Sequence, residues 1–212
     1  MSIERFENVL VLAPHTDDGE FGCGGTMARL VENGVKVTYA AFSTAAKSVP
    51  PEFPRDILKH EVRAATGILG IPERDLRIYD FEVRTFPTLR QEILEEMIVL
   101  QQELAPDCVL MPALVDLHQD HKTVAEEGLR AFKRTTVLAY EIPWNNLNFA
   151  QQAYVKLEKH HVARKVEALS CYASQGHRNY LNEDYIRNVA LTRGINVGCD
   201  FAEVFEVYRW IL

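Results

Sequence analysis

The sequence lacks the patterns that mark several large protein classes. Its four cysteines are widely spaced and contain no C-x-x-C pair, which argues against a disulfide framework or a cysteine zinc knuckle. No run approaches the roughly 20 apolar residues of a membrane helix. No G-x-x-x-x-G-K-[ST] motif occurs, so a phosphate-binding P-loop is excluded. A formal net charge of -7 argues against a broad surface for nucleic acid or anionic membranes.

The amino terminus also lacks the pattern of a secretory signal peptide. The apolar run over residues 9–13 is too short for one, and acidic residues follow it at once. We therefore expect a cytoplasmic protein with no membrane span.

What is present is the pattern of one α/β domain. The 212 residues are 47% hydrophobic and 25% charged, as in ordinary globular proteins. Buried strands are predicted over 9–13, 35–42, 76–79, 107–111, 136–140 and 202–208. Helices are predicted over 27–33, 56–69, 88–104, 122–132 and 154–171. This alternation predicts a mostly parallel sheet with helices on both faces, formed by a single domain over residues 1–212.

Two polar clusters follow two of these strands. The first contains His15, Asp17 and Asp18, and the second contains His118, Asp120 and His121. Loops after parallel strands emerge at the same edge of the sheet, which is where α/β proteins bind ligands. Imidazole and carboxylate groups together suit a divalent ion such as zinc with one position open for water. One of two adjacent carboxylates can bind the ion while the other remains free as a base.

The alternatives for each cluster are ordinary ones. A single H-x-x-H is more often a pair of surface histidines, and a single Asp-Asp is usually a turn. Gly22, Gly24 and Gly25 after a strand also allow a dinucleotide-binding fold. However, the third glycine of G-x-G-x-x-G is missing, and three acidic side chains would surround the pyrophosphate. A non-catalytic or nucleotide-binding Rossmann-like module therefore remains the alternative to an enzyme.

Together the two motifs identify a family resemblance. The segments 14–18 (PHTDD), 22–26 (GCGGT) and 118–121 (HQDH) resemble the PIG-L/LmbE-like family of zinc-dependent N-deacetylases. The resemblance extends over nearly the whole chain, including segments 172–175 and 202–206. Thr16 and Gln119 stand where the family motifs A-H-P-D-D and H-P-D-H have proline. Because the metal-ligand residue types are all retained, we expect these replacements to affect the stiffness of the loops more than the chemistry of the site.

The resemblance implies a role for each matching residue. His15, Asp18 and His121 would bind Zn²⁺, or another divalent ion such as Fe²⁺. Asp17 would be the general base, and His118 would stabilise the oxyanion in its protonated form or act as an acid. Asp120 would orient His118 through a hydrogen bond. The implied fold is Rossmann-like, and the implied substrate is an N-acetylamino sugar of the N-acetylglucosamine type or its conjugate.

The residues that hold the rest of the substrate are less distinct in the sequence. Arg84, in the loop after the third predicted strand, could bind sugar hydroxyls or an anionic aglycone, or could simply be an exposed loop charge. Trp144, Asn145 and Asn146 combine a stacking surface with two amides, although a packed loop is the more ordinary explanation of this segment. The long loop over residues 43–54 is a candidate lid or substrate wall of the site. No nucleic-acid partner is expected, and a homo-oligomer stays open.

Overall fold

Valine- and leucine-rich segments form the strands of one central sheet in the computed structural model, which describes residues 3–211. Residues 1, 2 and 212 of the predicted domain lie outside the described part. The seven strands are β1 (Asn8–His15), β2 (Lys36–Ser43), β3 (Leu76–Ile78), β4 (Cys108–Pro112), β5 (Thr136–Tyr140), β6 (Ala153–Leu157) and β7 (Phe201–Arg209). The six α-helices are α1 (Asp18–Glu32), α2 (Ile57–Ile68), α3 (Arg90–Leu104), α4 (Gln119–Ala131), α5 (Lys159–Ser170) and α6 (Glu183–Ile195).

The strand order is β3-β2-β1-β4-β5-β7-β6. The first five strands of this order are parallel, and β7 runs antiparallel to both β5 and β6. The prediction of a mostly parallel sheet is therefore confirmed. Because β1 and β4 are adjacent and parallel, the loops that follow them leave the sheet side by side.

Helices cover both faces of the sheet, as predicted. Alternate residues of β1 divide between two cores: Val9 and Val11 pack on one face, Leu10 and Leu12 on the other. Helices α1, α2, α5 and α6 contribute to the first core, and α3 and α4 contribute to the second. None of the helices between residues 3 and 211 is long and apolar enough to cross a membrane.

The glycine-rich segment differs from its prediction as a loop. Helix α1 already begins at Asp18, and only Cys23 leaves the helical conformation, with φ -147° and ψ 27°. The glycines serve close packing, because a Cβ atom on Gly22 would lie 2.1 Å from the ring of Tyr140. One on Gly25 would lie 2.5 Å from Leu157.

Three further elements differ from the prediction. Residues 154–157 belong to β6 rather than to the helix predicted over 154–171, because this segment pairs with β7. Its alternation of buried Val155 and Leu157 with exposed Lys156 is a strand pattern. Helix α6 was not predicted, because only Ile186, Ala190 and Gly194 are buried along it. The predicted helix 122–132 begins earlier, at Gln119.

Candidate metal and catalytic site

The first cluster lies on the tight turn that joins β1 to α1. His15 is the last residue of β1, and Asp18 is the first residue of α1. The Asp18 side chain folds back, so that its Oδ2 accepts the backbone N–H of His15 at 2.8 Å. This contact brings the carboxylate beside the imidazole of its neighbour three residues earlier.

A buried hydrogen-bond network fixes this turn on the side that faces away from the cluster. The hydroxyls of Tyr39 and Tyr172 lie 2.9 and 2.5 Å from the carbonyl oxygen of Thr16, and both also contact the carboxyl group of Glu20. Glu20 is fully buried, and burial raises its pKa to about 8. The turn between His15 and Asp17 is therefore fixed by three side chains from separate elements.

Three side-chain atoms converge in front of the turn. His15 Nδ1 lies 3.1 Å from Asp18 Oδ2, His121 Nε2 lies 3.2 Å from the same oxygen, and the two nitrogens are 3.3 Å apart. Ligand atoms of a tetrahedral zinc ion bound at about 2.0–2.1 Å are themselves about 3.3 Å apart. The three donors thus fit one divalent ion, and we call them the donor triangle.

Each histidine of the triangle has a carboxylate on its other ring nitrogen. His15 Nε2 lies 3.0 Å from Asp120 Oδ2, and His121 Nδ1 lies 2.8 Å from Asp116 Oδ2. Both of these carboxylates are fully buried. In each neutral ring the proton then lies on the nitrogen that faces the carboxylate, which we call the far nitrogen. The other nitrogen, in the donor triangle, keeps the free lone pair that metal binding requires.

The charge around the triangle also favours a cation. Burial lowers the pKa of His121, but the carboxylates of Asp18 and Asp116 outweigh burial and raise it to about 10. For His15, burial is likewise outweighed by Asp18 and Asp120, and its pKa is raised. The carboxylates of Asp18, Asp116 and Asp120 therefore favour a positive charge on the two imidazoles.

His118 lies beside the triangle, and its ring stacks on that of His121 with centroids 4.6 Å apart. One nitrogen from each of His15, His118 and His121 lies within 4.8 Å of the others, so His118 is also within reach of an ion. However, His118 Nδ1 accepts the backbone N–H of Asp120 at 3.2 Å. The neutral ring must then carry its proton on Nε2, which makes that atom a donor rather than a ligand.

The surroundings of His118 favour its neutral form, whereas the resemblance implies a protonated ring. Burial, together with the nearby His121 and His15, lowers the pKa of His118 to about 4. The neutral ring, and not the protonated one, is favoured by this environment at neutral pH. A neutral imidazole can still donate one hydrogen bond from Nε2.

Asp17 differs from Asp18 in both contacts and charge. Its half-buried carboxylate makes no hydrogen bond or ion pair to another residue of the described chain, and it lines the cleft. Burial and the charge of Asp18 raise the pKa of Asp17 to about 6. By contrast, burial is outweighed at Asp18 by His121 and His15, which hold its pKa well below the usual range.

The contacts of Asp120 correct one expectation. Its carboxylate orients His15 rather than His118, and it also accepts the backbone N–H groups of Arg84 and Phe86 at 2.6 and 3.3 Å. Only its backbone N–H reaches His118. The cause is its place in the first turn of α4, from which the side chain points across to β1 while the amide faces the residue before the helix.

The donor triangle opens into a cleft of about 320 Å³, which we call the metal cleft. Predicted residues on its wall include His15, Asp17, Asp18, His118, His121, Arg84, Trp144 and Asn145. Ala45 and Ser48 also line it, so the loop over residues 43–54 forms part of the wall. The exposed Arg84 has a left-handed backbone, with φ 71°, and its Nη2 lies 3.4 Å from Ser48 Oγ.

Three residues of the site escape prediction from the sequence. Asp116 orients His121, and its only signal is an acidic side chain in the loop before His118. Arg178 and Tyr180 line the metal cleft from the segment between α5 and α6, where no periodic pattern marks them. The ring of Tyr180 stacks on Trp144 with centroids 4.2 Å apart.

Comparison with known proteins agrees with the resemblance found in the sequence. The family model described as PIG-L, GlcNAc-PI de-N-acetylase, matches residues 10–132. The chain is 29% identical over 189 residues to the probable N-acetyl-alpha-D-glucosaminyl L-malate deacetylase 2 of Bacillus anthracis, covering 79% of this chain and 81% of that protein.

Solved structures share the fold over nearly the whole chain. The N,N'-diacetylchitobiose deacetylase from Pyrococcus horikoshii matches with a TM-score of 0.79 and 19% identity, covering 95% of this chain and 84% of that one. GalB, the 4-carboxy-2-hydroxymuconate hydratase of Pseudomonas putida KT2440, also matches with a TM-score of 0.79, at 21% identity. That match covers 97% of this chain and 98% of the hydratase.

Proposed function

The chain belongs to the PIG-L family, and on that premise we propose that it is a metal-dependent N-deacetylase of an N-acetylamino sugar or its conjugate. The observation that carries the proposal is the donor triangle of His15, Asp18 and His121, set beside the unpaired carboxylate of Asp17. An ion-binding set next to a free base is what hydrolysis of an amide by water requires. We propose that residues 1–212 act as one deacetylase domain.

His15, Asp18 and His121 would hold the ion, with zinc as the first candidate. When bound, such an ion supplies Lewis acidity, which lowers the pKa of water and polarises a carbonyl group. Asp116 and Asp120 keep the two imidazoles in the tautomer and orientation that this binding needs.

Asp17 would accept the proton of the attacking water as the new C–O bond forms. A base whose pKa lies near neutrality, as burial makes that of Asp17, suits this transfer at physiological pH. The protonated Asp17 can then return the proton to the sugar nitrogen as the C–N bond breaks. The products are acetate and a free amine.

His118 would stabilise the charge that develops on the acetyl oxygen. Its Nδ1 is occupied by the Asp120 amide, so its Nε2–H is the donor available to the cleft. Removing a donor of this kind typically costs about 3–4 kcal/mol of transition-state stabilisation.

A nucleotide-binding function fits the glycine-rich segment less well. The backbone N–H groups of Gly25 and Thr26, freed by the kink in α1, already donate to the carboxylate of Glu203 at 3.0 and 2.7 Å. Glu203 is itself paired with Lys165 at 2.7 Å. The amides that would have to bind a pyrophosphate are therefore occupied by a buried anion.

The decisive experiment measures acetate release by metal-loaded protein across free, lipid-linked, thiol-linked and nucleotide-linked N-acetyl sugars. We expect turnover of at least one class, its loss with a chelator, and its recovery when the ion is restored. A hydratase assay on an unsaturated tricarboxylate should run in parallel, because the Pseudomonas hydratase has the same fold. Hydration without acetate release, or saturable nucleotide binding without turnover, would overturn the proposal.

A further inference from the structure

Arg178 stands at the boundary between two clefts. It lines the metal cleft, and it also lines a neighbouring cleft of about 560 Å³ formed by the segment between α5 and α6. We call this second space the side cleft; Ser170, Asn179, Asn182 and Tyr185 contribute to its wall. Arg178 is the one residue that the two clefts share. A molecule bound at the donor triangle and extending into the side cleft would pass over it.

The guanidinium of Arg178 forms no ion pair within 4 Å among residues 3–211, although its charge lowers the pKa of Asp17 on the wall of the same metal cleft. Most of the other arginines in residues 3–211 with side-chain contacts form ion pairs with glutamates. Examples are Arg29, Arg90, Arg187 and Arg193. Arg178 instead donates from Nη1 to the hydroxyl of Tyr180, and its Nε is enclosed without an acceptor. A partly buried guanidinium without a carboxylate in ion-pair contact favours an incoming anion.

Aromatic packing holds this cation in place. The guanidinium carbon lies 5.6 Å from the centroid of the Tyr180 ring, and Tyr180 stacks on Trp144 at 4.2 Å with an interplanar angle of 8°. Phe21 supports both rings edge-on, with centroids 5.1 Å away in each case. A guanidinium supported in this way loses less freedom when it binds a ligand.

We propose that Arg178 binds an anionic group, a carboxylate or a phosphate, on the portion of the substrate that lies beyond the acetamido sugar. The inference rests on the proposed deacetylase function, and it narrows the substrate to acidic conjugates of an N-acetyl sugar. The planar donors of arginine match the paired oxygens of carboxylate and phosphate better than a single hydroxyl. The polar wall of the side cleft, with Asn179 and Asn182, accommodates the rest of such a group.

The test compares matched glycosides of N-acetylglucosamine. One carries a carboxylate on its aglycone, one carries a phosphate, and one carries the primary amide of the same acid. For the unmodified protein we expect kcat/KM to be about tenfold or more higher for an anionic glycoside than for the amide, mainly through KM. The better of the two anions identifies the natural group.

Arg178→Gln should reduce this preference to nearly one, and Arg178→Lys should retain part of it. The matched control is Arg187→Gln, because Arg187 lies on α6, is paired with Glu183 and lines neither cleft. That control should keep the full preference. Circular dichroism and the thermal midpoint establish that the Arg178 variants are folded.

A preference that survives in Arg178→Gln would overturn the inference, as would one abolished by Arg84→Gln instead. If the unmodified protein hydrolyses none of the three glycosides, it is the deacetylase proposal that fails. Calorimetric binding of the same glycosides to the unmodified and Arg178→Gln proteins then still decides the role of Arg178. Equal affinity for the acid and the amide in both proteins would refute it.

Discussion

Within residues 3–211, two regions each bring two histidines and a carboxylate together, but only one of these two has the features of a metal site. In the donor triangle, the side chains of His15, Asp18 and His121 are 11%, 10% and 3% exposed. In the second group, Glu32 Oε2 lies 2.7 Å from Nε2 of both His160 and His161. There Glu32 and His160 are 44% and 52% exposed. Composition and proximity alone do not separate the two groups.

The two groups differ in the hydrogen-bond partner of the ring nitrogen that faces away from the shared carboxylate. In the triangle, carboxylates hold the far nitrogens of both histidines, and the near nitrogens keep their lone pairs. His161 Nδ1 instead accepts the backbone N–H of Glu158 at 3.0 Å, in a capping box at the start of α5. Its Nε2 must therefore carry the proton and donate to Glu32. The same residue types thus suit an ion or cap a helix according to the partner on the other ring nitrogen.

The largest expected effect is on metal content. His15→Ala or His121→Ala should lower zinc affinity by at least about 100-fold, because each removes one of three donors to the ion. His160→Ala is the matched control, and it should retain about one ion per chain. Elemental analysis of purified proteins and zinc titration with a competing chelator measure the effect. Full metal content in the first two variants would refute the ligand assignment.

Asp17 and Asp18 sharpen the comparison further, because Asp18 belongs to the donor triangle and Asp17 lies beside it. Asp17→Asn should keep nearly normal metal affinity and lose about 100-fold or more in kcat, because the amide cannot accept a proton at neutral pH. Asp18→Asn should lose metal affinity first, with activity partly recovered in excess zinc. Metal dissociation constants and kcat are measured side by side. The reverse pattern would mean that the two roles are exchanged.

Much of this site follows from the sequence, because the relevant rules are local. Buried strands followed by polar loops predicted that His15 and His121 would meet, although 106 positions separate them. The partner of Asp120 could not be predicted in the same way. The family resemblance implied His118 as its partner, whereas the direction of the side chain in the first turn of α4 selects His15. Asp116 has no distinguishing pattern, since its role exists only once α4 has docked.

The fold was predictable to a similar extent. The strands predicted from apolar runs, together with helices α2 and α3, lie within a few residues of their predicted bounds. The start of α1 was not predictable, because its glycines are weak helix formers on their own. Tyr140 and Leu157 approach so closely that only glycine fits at those positions. Tertiary packing, and not local preference, decides the structure of that segment.

A smaller effect is expected from the carboxylates behind the histidines. Asp116→Asn and Asp120→Asn should each lower metal affinity about 10- to 100-fold, because the imidazoles lose the partner that fixes their tautomer. Asp107→Asn is a suitable control, since this carboxylate accepts the backbone N–H groups of Glu7 and Asn8 away from the site. The same chelator titration applies. Unchanged affinity in both site variants would show that the far-nitrogen partners do not distinguish the two groups.

The smallest expected effect belongs to His161, where the second group is predicted to act as a helix cap. His161→Ala removes the acceptor for the Glu158 N–H and should lower the free energy of unfolding by about 1 kcal/mol. Glutamine at this position can reach back to the same N–H, so His161→Gln should recover most of that loss. Denaturant unfolding of the metal-loaded proteins measures both changes. Neither variant should alter the zinc stoichiometry, because the protonated Nε2 of His161 has no lone pair for an ion. The loss of a second bound zinc in His161→Ala, with stability unchanged, would mean that this group is a metal site after all.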